Sequence, residues 1–127
     1  MEEWRQKRVR EIFQRFTSQF DLTILEHTDE RIYARWHVDE NSLNPEDIAH
    51  GGAVYSVADV VCAALGLRNN HLLTKSVNFY YFHSVRLGDA YIRGSFQKVG
   101  SYTSVMEIEV WQEETLCAKG LFDMAKL

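Results

Sequence analysis

One proline, two cysteines and no long apolar run mark this 127-residue chain first by what is scarce. Spanning a bilayer takes roughly 18 or more consecutive apolar residues. The first residues, Met1, Glu2, Glu3, Trp4 and Arg5, form no apolar run of the signal-peptide kind, so a cytoplasmic protein is expected. Cys62 and Cys117 stand far apart with neither CxxC nor ligand spacing, which predicts small buried hydrophobes, with no disulfide and no zinc. Positive charge is not in excess either: 14 Lys and Arg against 18 Asp and Glu leave a formal net charge of −4. Nucleic-acid binding relies on a basic face that releases counterions, and the only basic cluster (Arg5, Lys7, Arg8, Arg10, Arg15) is interleaved with acids as on a solvated helix face. The GxSxG elbow, the GxxxxGK[ST] loop and the GxGxxG fingerprint are all missing, which removes serine hydrolases, P-loop enzymes and dinucleotide oxidoreductases.

What is present is ordinary for one globular domain over 1–127: 46% hydrophobic and 25% charged residues, with 13% aromatics leaning toward strands. Val9, Ile12, Phe13, Phe16 and Phe20 recur at helical spacing and predict an amphipathic helix over about residues 3–18, a lid or flank within an N-terminal segment 1–20 ahead of a core at 21–127. Residues 22–27 and 32–38 alternate as half-buried strands do, with Thr28, Asp29 and Glu30 as their turn. Residues 41–49 are a loop by composition. From Gly52 to Leu67 the chain is apolar on nearly every side, so this helix must be surrounded. Four strand-like runs follow, at about 72–82, 90–99, 102–111 and 115–126. The predicted fold is α+β: a long central helix wrapped by a six-stranded antiparallel sheet, with an N-terminal flanking helix.

The chemistry concentrates where that helix begins. Its first N–H groups have no intrahelical acceptor and lie at the positive end of the helix dipole, and Gly51 and Gly52 leave room for a substrate to approach them. A carbonyl oxygen held there would gain charge as water attacks its carbon. Asp59 is the one carboxylate inside the apolar helix and can act as base or as nucleophile. Gly51 and Asp59 are eight residues apart, about 12 Å along a helix axis, so one chain cannot easily bring both to one carbonyl. A two-fold dimer with the helices antiparallel would do so, twice. An open edge strand also invites a second copy to extend the sheet.

Plainer readings stand beside these. A Gly-Gly pair at a helix start also serves capping and packing, and a lone Asp in a helix also faces solvent. His50 could bond substrate or close the turn by a side-chain hydrogen bond, and Asn44, before Pro45, could donate to a carbonyl or shape a turn. His27, His37, His71 and His83 show no ligand spacing and read as structural; no metal is expected. The run Phe79, Tyr80, Tyr81, Phe82 serves core and strand face, and part of it could line an acyl pocket.

Asn44, a gap of five, His50-Gly51-Gly52, six residues and Asp59 together resemble the PaaI-like branch of hotdog-fold acyl-CoA thioesterases, over about Leu22 to Met124. The resemblance implies a homodimer, often a dimer of dimers, hydrolysing a coenzyme A thioester with no metal or bound cofactor. It implies that the Gly51 N–H and Asn44 polarise the carbonyl, that Asp59 of the second chain activates water, and that Thr74 supplies a hydroxyl that helps hold that water. His50 joins this catalytic set; Gly52, Tyr55, Tyr80, Tyr81, His83, Lys98 and Ser101 are the candidate substrate contacts. Two positions depart from the family pattern. Tyr81, Phe82, His83 and Ser84 stand where an Arg-Pro or Ser-Pro usually precedes the Gly-Asp turn, and Ser101 follows Gly100 where a Lys or Arg is usual, with Lys98 nearby. Placement of the nucleotide is thereby left open. The alternatives are an acyl-ligand binding protein on the same scaffold and an enoyl-CoA hydratase or dehydratase, although the proline-rich loop of the latter is missing.

Overall fold

In the computed structural model, which describes residues 2–69 and 72–126, two helices and six strands follow one another in the order helix, hairpin, helix, four strands. They are α1 (Glu3–Ile12), β1 (Asp21–His27), β2 (Arg31–Val38), α2 (Gly51–Leu65), β3 (Leu72–Tyr81), β4 (Gly88–Val99), β5 (Thr103–Gln112) and β6 (Thr115–Lys126). His71 lies outside the described residues. The sheet order is β1-β2-β4-β5-β6-β3, with every neighbouring pair antiparallel. This is the expected hotdog arrangement, and it puts β3 at a free edge. Among the described residues no helix is long and apolar enough to cross a membrane.

Period-two alternation puts one row of each strand against α2. Ile32, Ala34, Trp36 and Val38 of β2, Ile92 of β4, Met106, Ile108 and Val110 of β5, and Phe122 and Met124 of β6 meet Val54, Val57, Ala58, Val61 and Leu65 of the helix. Each large side chain sealed there contributes roughly 1.5–3 kcal/mol relative to exposure. A Cβ on Gly120 would lie 2.6 Å from the Phe79 ring, so only glycine lets that ring drop onto the sheet and meet Tyr55 and Phe122.

Two expectations are corrected. The helix predicted to run to about residue 18 stops at Ile12: Arg15 takes a left-handed φ of 56° and the Thr17 hydroxyl bonds the Ile12 carbonyl at 2.7 Å. A short 3₁₀ turn (Arg15–Gln19) follows, so Ile12, Phe13 and Phe20 reach the core while Phe16 points out. Arg5, buried to 3% exposure, ties α1 to the β1–β2 turn through Asp29 at 2.8 Å. The second correction concerns α2, which one chain does not surround. Gly52 is exposed and Tyr55, Ser56, Asp59 and Ala63 are only half-buried, an open stripe beside the free edge of β3.

Candidate active site

The loop before α2 is held by its own polar groups. Asn44 Oδ1 accepts from the N–H groups of Glu46 (2.9 Å) and Ile48 (3.4 Å), its N–H donates to the Ile48 carbonyl (2.8 Å), and Asp47 turns the chain at φ 61°. Neighbouring segments clamp the exit: Ala49 N–H donates to the Val85 carbonyl and His50 N–H to the Ser42 carbonyl, both at 2.7 Å. His50 therefore arrives as the N-cap of α2.

The polar groups of the first helical turn are then nearly all used. The Gly52 N–H donates to His50 Nδ1 at 2.8 Å, which makes Nδ1 the acceptor and puts the ring proton of a neutral imidazole on Nε2. Ala53 and Val54 N–H groups share the His50 carbonyl, the Ser56 hydroxyl donates to the Gly52 carbonyl (2.7 Å), and the Tyr81 hydroxyl donates to the Gly51 carbonyl (2.7 Å). What remains is the Gly51 N–H, without an acceptor among the described residues. The sequence offers two bare glycine amides; the fold offers one, because His50 takes the other. Asn44, Gly51, Tyr81 and His83 line a cleft of about 430 Å³ whose floor is Ile48, Ala49, Val54, Val85 and Ala118. Asn44 has committed its carbonyl oxygen to the loop, and its side-chain NH2 is left to donate.

Two helical turns further on, Asp59 forms a second centre. Thr74 Oγ1 donates to Asp59 Oδ1 at 2.6 Å, a short charge-assisted bond, with the Met124 sulfur 3.3 Å from the same hydroxyl. Thr74 faces inward only because of a β-bulge. Thr74 pairs with Met124 and Ser76 with Asp123, so Lys75 is an extra residue that shifts the alternation by one. Without it, the inward row of Val77, Phe79 and Tyr81 would continue to Lys75 and turn Thr74 outward. Burial, and next to it the Asp59 charge, push the Tyr55 phenol and the Cys62 thiol above their ordinary values. Cys62 thus stays a buried neutral thiol and not a nucleophile.

The remaining candidates disperse. Tyr55 packs between Phe79 and Phe122. Tyr80 stacks with Phe82 on the outer face of β3, and both are exposed. Lys98 and Ser101 are exposed at the tip joining β4 to β5, across β6 and β5 from Thr74. A larger cleft of about 530 Å³ lies on the outer sheet face among Glu26, Arg31, Tyr33, Arg93, Glu107 and Glu109 and includes no expected site residue. Within it Arg31 pairs with Glu26 at 3.3 Å, whereas the expected residues Asn44, Gly51, Tyr81 and His83 meet at the smaller cleft. Sequence reasoning missed the backbone roles of Tyr81 and Ser56. A Ser four residues after a helix-start glycine is the one local signal that could have revealed Ser56.

Residues 46–119 match the family model of the thioesterase superfamily. The chain belongs to that superfamily. Its hotdog fold is shared with a mutant of the phenylacetic acid degradation protein PaaI from Thermus thermophilus, at TM-score 0.83 and 22% identity over 88% of this chain and 98% of that one. A hypothetical thioesterase protein with coenzyme A from Streptococcus pneumoniae superposes at TM-score 0.78 and 23% identity, covering 83% of this chain and 87% of that one. A conserved protein from Pseudomonas aeruginosa does so at 0.81 and 25%, covering 93% and 98%. No curated protein matches the chain. Within the thioesterase superfamily this chain is thus a PaaI-like hotdog member in fold.

Proposed function

We propose that the protein hydrolyses an acyl-CoA thioester at centres shared by two copies of the chain. The observation that carries this reading is the division of polar groups along α2: an unpaired amide at Gly51, and a carboxylate at Asp59 held by Thr74, eight residues further on. At ~1.5 Å per residue the two stand about 12 Å apart on one helix. A two-fold copy with its α2 antiparallel, and with the free edges of β3 paired, sets Asp59 of one chain against Gly51 of the other.

In that arrangement the thioester carbonyl oxygen accepts from the Gly51 N–H at the positive helix end, with the Asn44 amide as second donor. Asp59 of the other copy takes a proton from water as the water oxygen attacks the carbonyl carbon. Thr74 occupies Oδ1 and so turns Oδ2 toward that water. Collapse of the tetrahedral adduct breaks the C–S bond, releasing coenzyme A as thiolate and the acyl group as free acid. Membership of the thioesterase superfamily, and the coenzyme A that accompanies the streptococcal relative, support an acyl-CoA substrate.

The test is thiol release from a panel of acyl-CoAs. Asp59→Asn keeps an oxygen for the Thr74 hydroxyl, so the fold persists while turnover falls by about 10²–10⁴, the range for losing a general base. Full activity in that variant removes the mechanism. Calorimetric binding without thiol release by the wild type would mark a binding protein instead.

A further inference from the structure

The glycine pair that opens α2 has the greatest backbone freedom of any dipeptide. Yet its free amide has to point at one place. The Tyr81 hydroxyl donates to the Gly51 carbonyl at 2.7 Å, and atoms of its ring lie 3.5–3.6 Å from where a Gly51 Cβ would stand. Phe79, on the same face of β3, supports that ring edge-on at 4.9 Å between centroids. Tyr81 and Thr74 are on one strand: the first grips the start of α2, the second grips Asp59 further along it. The strand that holds both is also a free edge of the sheet.

We propose that Tyr81 is a positioning residue of the thioester site, its hydroxyl pinning the Gly51 carbonyl so that the neighbouring Gly51 N–H keeps a fixed direction relative to β3. The proposal rests on the hydrolytic reading. Because β3 is the strand along which a second copy would pair, fixing Gly51 to it also fixes the distance to Asp59 of that copy. Tyr81 thereby acts on the reacting carbonyl through the backbone of Gly51.

Tyr81→Phe retains the ring and removes only the hydroxyl. With an acyl-CoA that the wild type hydrolyses, kcat is expected to fall about tenfold while KM stays within about twofold and the melting temperature is nearly unchanged. Amide hydrogen exchange at Gly52, whose N–H shares a peptide plane with the Gly51 carbonyl and is bonded to His50 Nδ1, followed by NMR, is expected to quicken by about tenfold while amides around Asp59 and Thr74 keep their rates. Unchanged kcat, or a raised KM at unchanged kcat, overturns the positioning role and leaves the hydrolytic reading standing. Unchanged glycine exchange in the variant overturns it as well, whatever the kinetics. A wild type that releases no thiol from any acyl-CoA overturns the hydrolytic reading instead, and the exchange rates still decide whether Tyr81 pins the glycines.

Discussion

The two ends of the open stripe on α2 are built by different means. At Gly51 the candidate group is backbone, shaped largely by contacts close in sequence: the Asn44 turn, the His50 cap on Gly52, the Ser56 bond to the Gly52 carbonyl. At Asp59 the candidate group is a side chain held by a residue from another element, and that residue faces the helix only because β3 carries an extra residue at Lys75. A backbone donor is thus shaped mostly by hydrogen bonds close in sequence, with Tyr81 and Val85 as its distant ties, whereas an acid inside an apolar helix depends wholly on tertiary register. Substitutions should separate the two ends accordingly.

Among substitutions that leave Asp59 in place, the largest effect is expected at the amide end. Proline at the first helical position removes only an N–H that has no helical acceptor, and His50 before it is already extended at φ −57° and ψ 137°, the conformation that precedes proline. Gly51→Pro should therefore fold normally and lose about 10²–10³ in kcat, the effect of deleting an oxyanion donor. Mixing it with Asp59→Asn then sharpens the comparison: half of randomly assorted dimers would be mixed, each with one intact centre, restoring about a quarter of wild-type activity. Two inactive variants that stay inactive after mixing and refolding would show that one chain supplies both groups.

A smaller effect is expected at the acid end. Thr74→Val keeps the shape and loses the bond to Asp59, lowering kcat about tenfold with a stability change of about 1 kcal/mol, and Thr74→Ser should restore turnover. Steady-state kinetics beside urea melts would check both, and a Val variant with wild-type kcat would show that Asp59 needs no aiming.

The smallest effect lies outside both ends and separates acid loss of stability from acid loss of activity. Neither ring nitrogen of His27 has a hydrogen-bond partner among the described residues, and burial, then the Arg5 charge, pull its pKa down from 6.5 to about 4. Between those values the unfolded chain binds the proton and the folded chain does not. Stability is therefore full above pH 6.5 and lost as pH falls toward 4, by on the order of 1–2 kcal/mol after solvent screening. His27→Phe should flatten that limb in melts between pH 7 and pH 4 and leave kcat at neutral pH unaltered; an unflattened limb would assign the acid loss to other groups.

The element order could be read in advance because it rests on periodicity, which each residue reports through its own hydropathy. Ile32, Ala34, Trp36 and Val38 alternate whatever they pack against, and the apolar run after Gly52 needs burial whatever provides it. The same logic misled at Phe16, which keeps helical spacing after Arg15 has broken the helix. It was silent at Lys75, since a bulge is a mismatch between two strands and Leu72–Tyr81 alone shows no interruption. It also counted two open amides, because whether the ring of His50 folds back on Gly52 is decided by how Ser42 and Val85 hold the loop.

The sequence by itself determined the helix-and-sheet order, the glycines at the mouth of α2 and the solitary acid within it, all of which follow from residue chemistry and from spacing along one element. Only the tertiary structure decided that a single amide stays unpaired, that Thr74 turns to Asp59 and that Tyr81 reaches Gly51. The last two contacts join residues 15 and 30 positions apart, and hydrogen-bond geometry at that separation is set by strand register and the seat of the helix on the sheet.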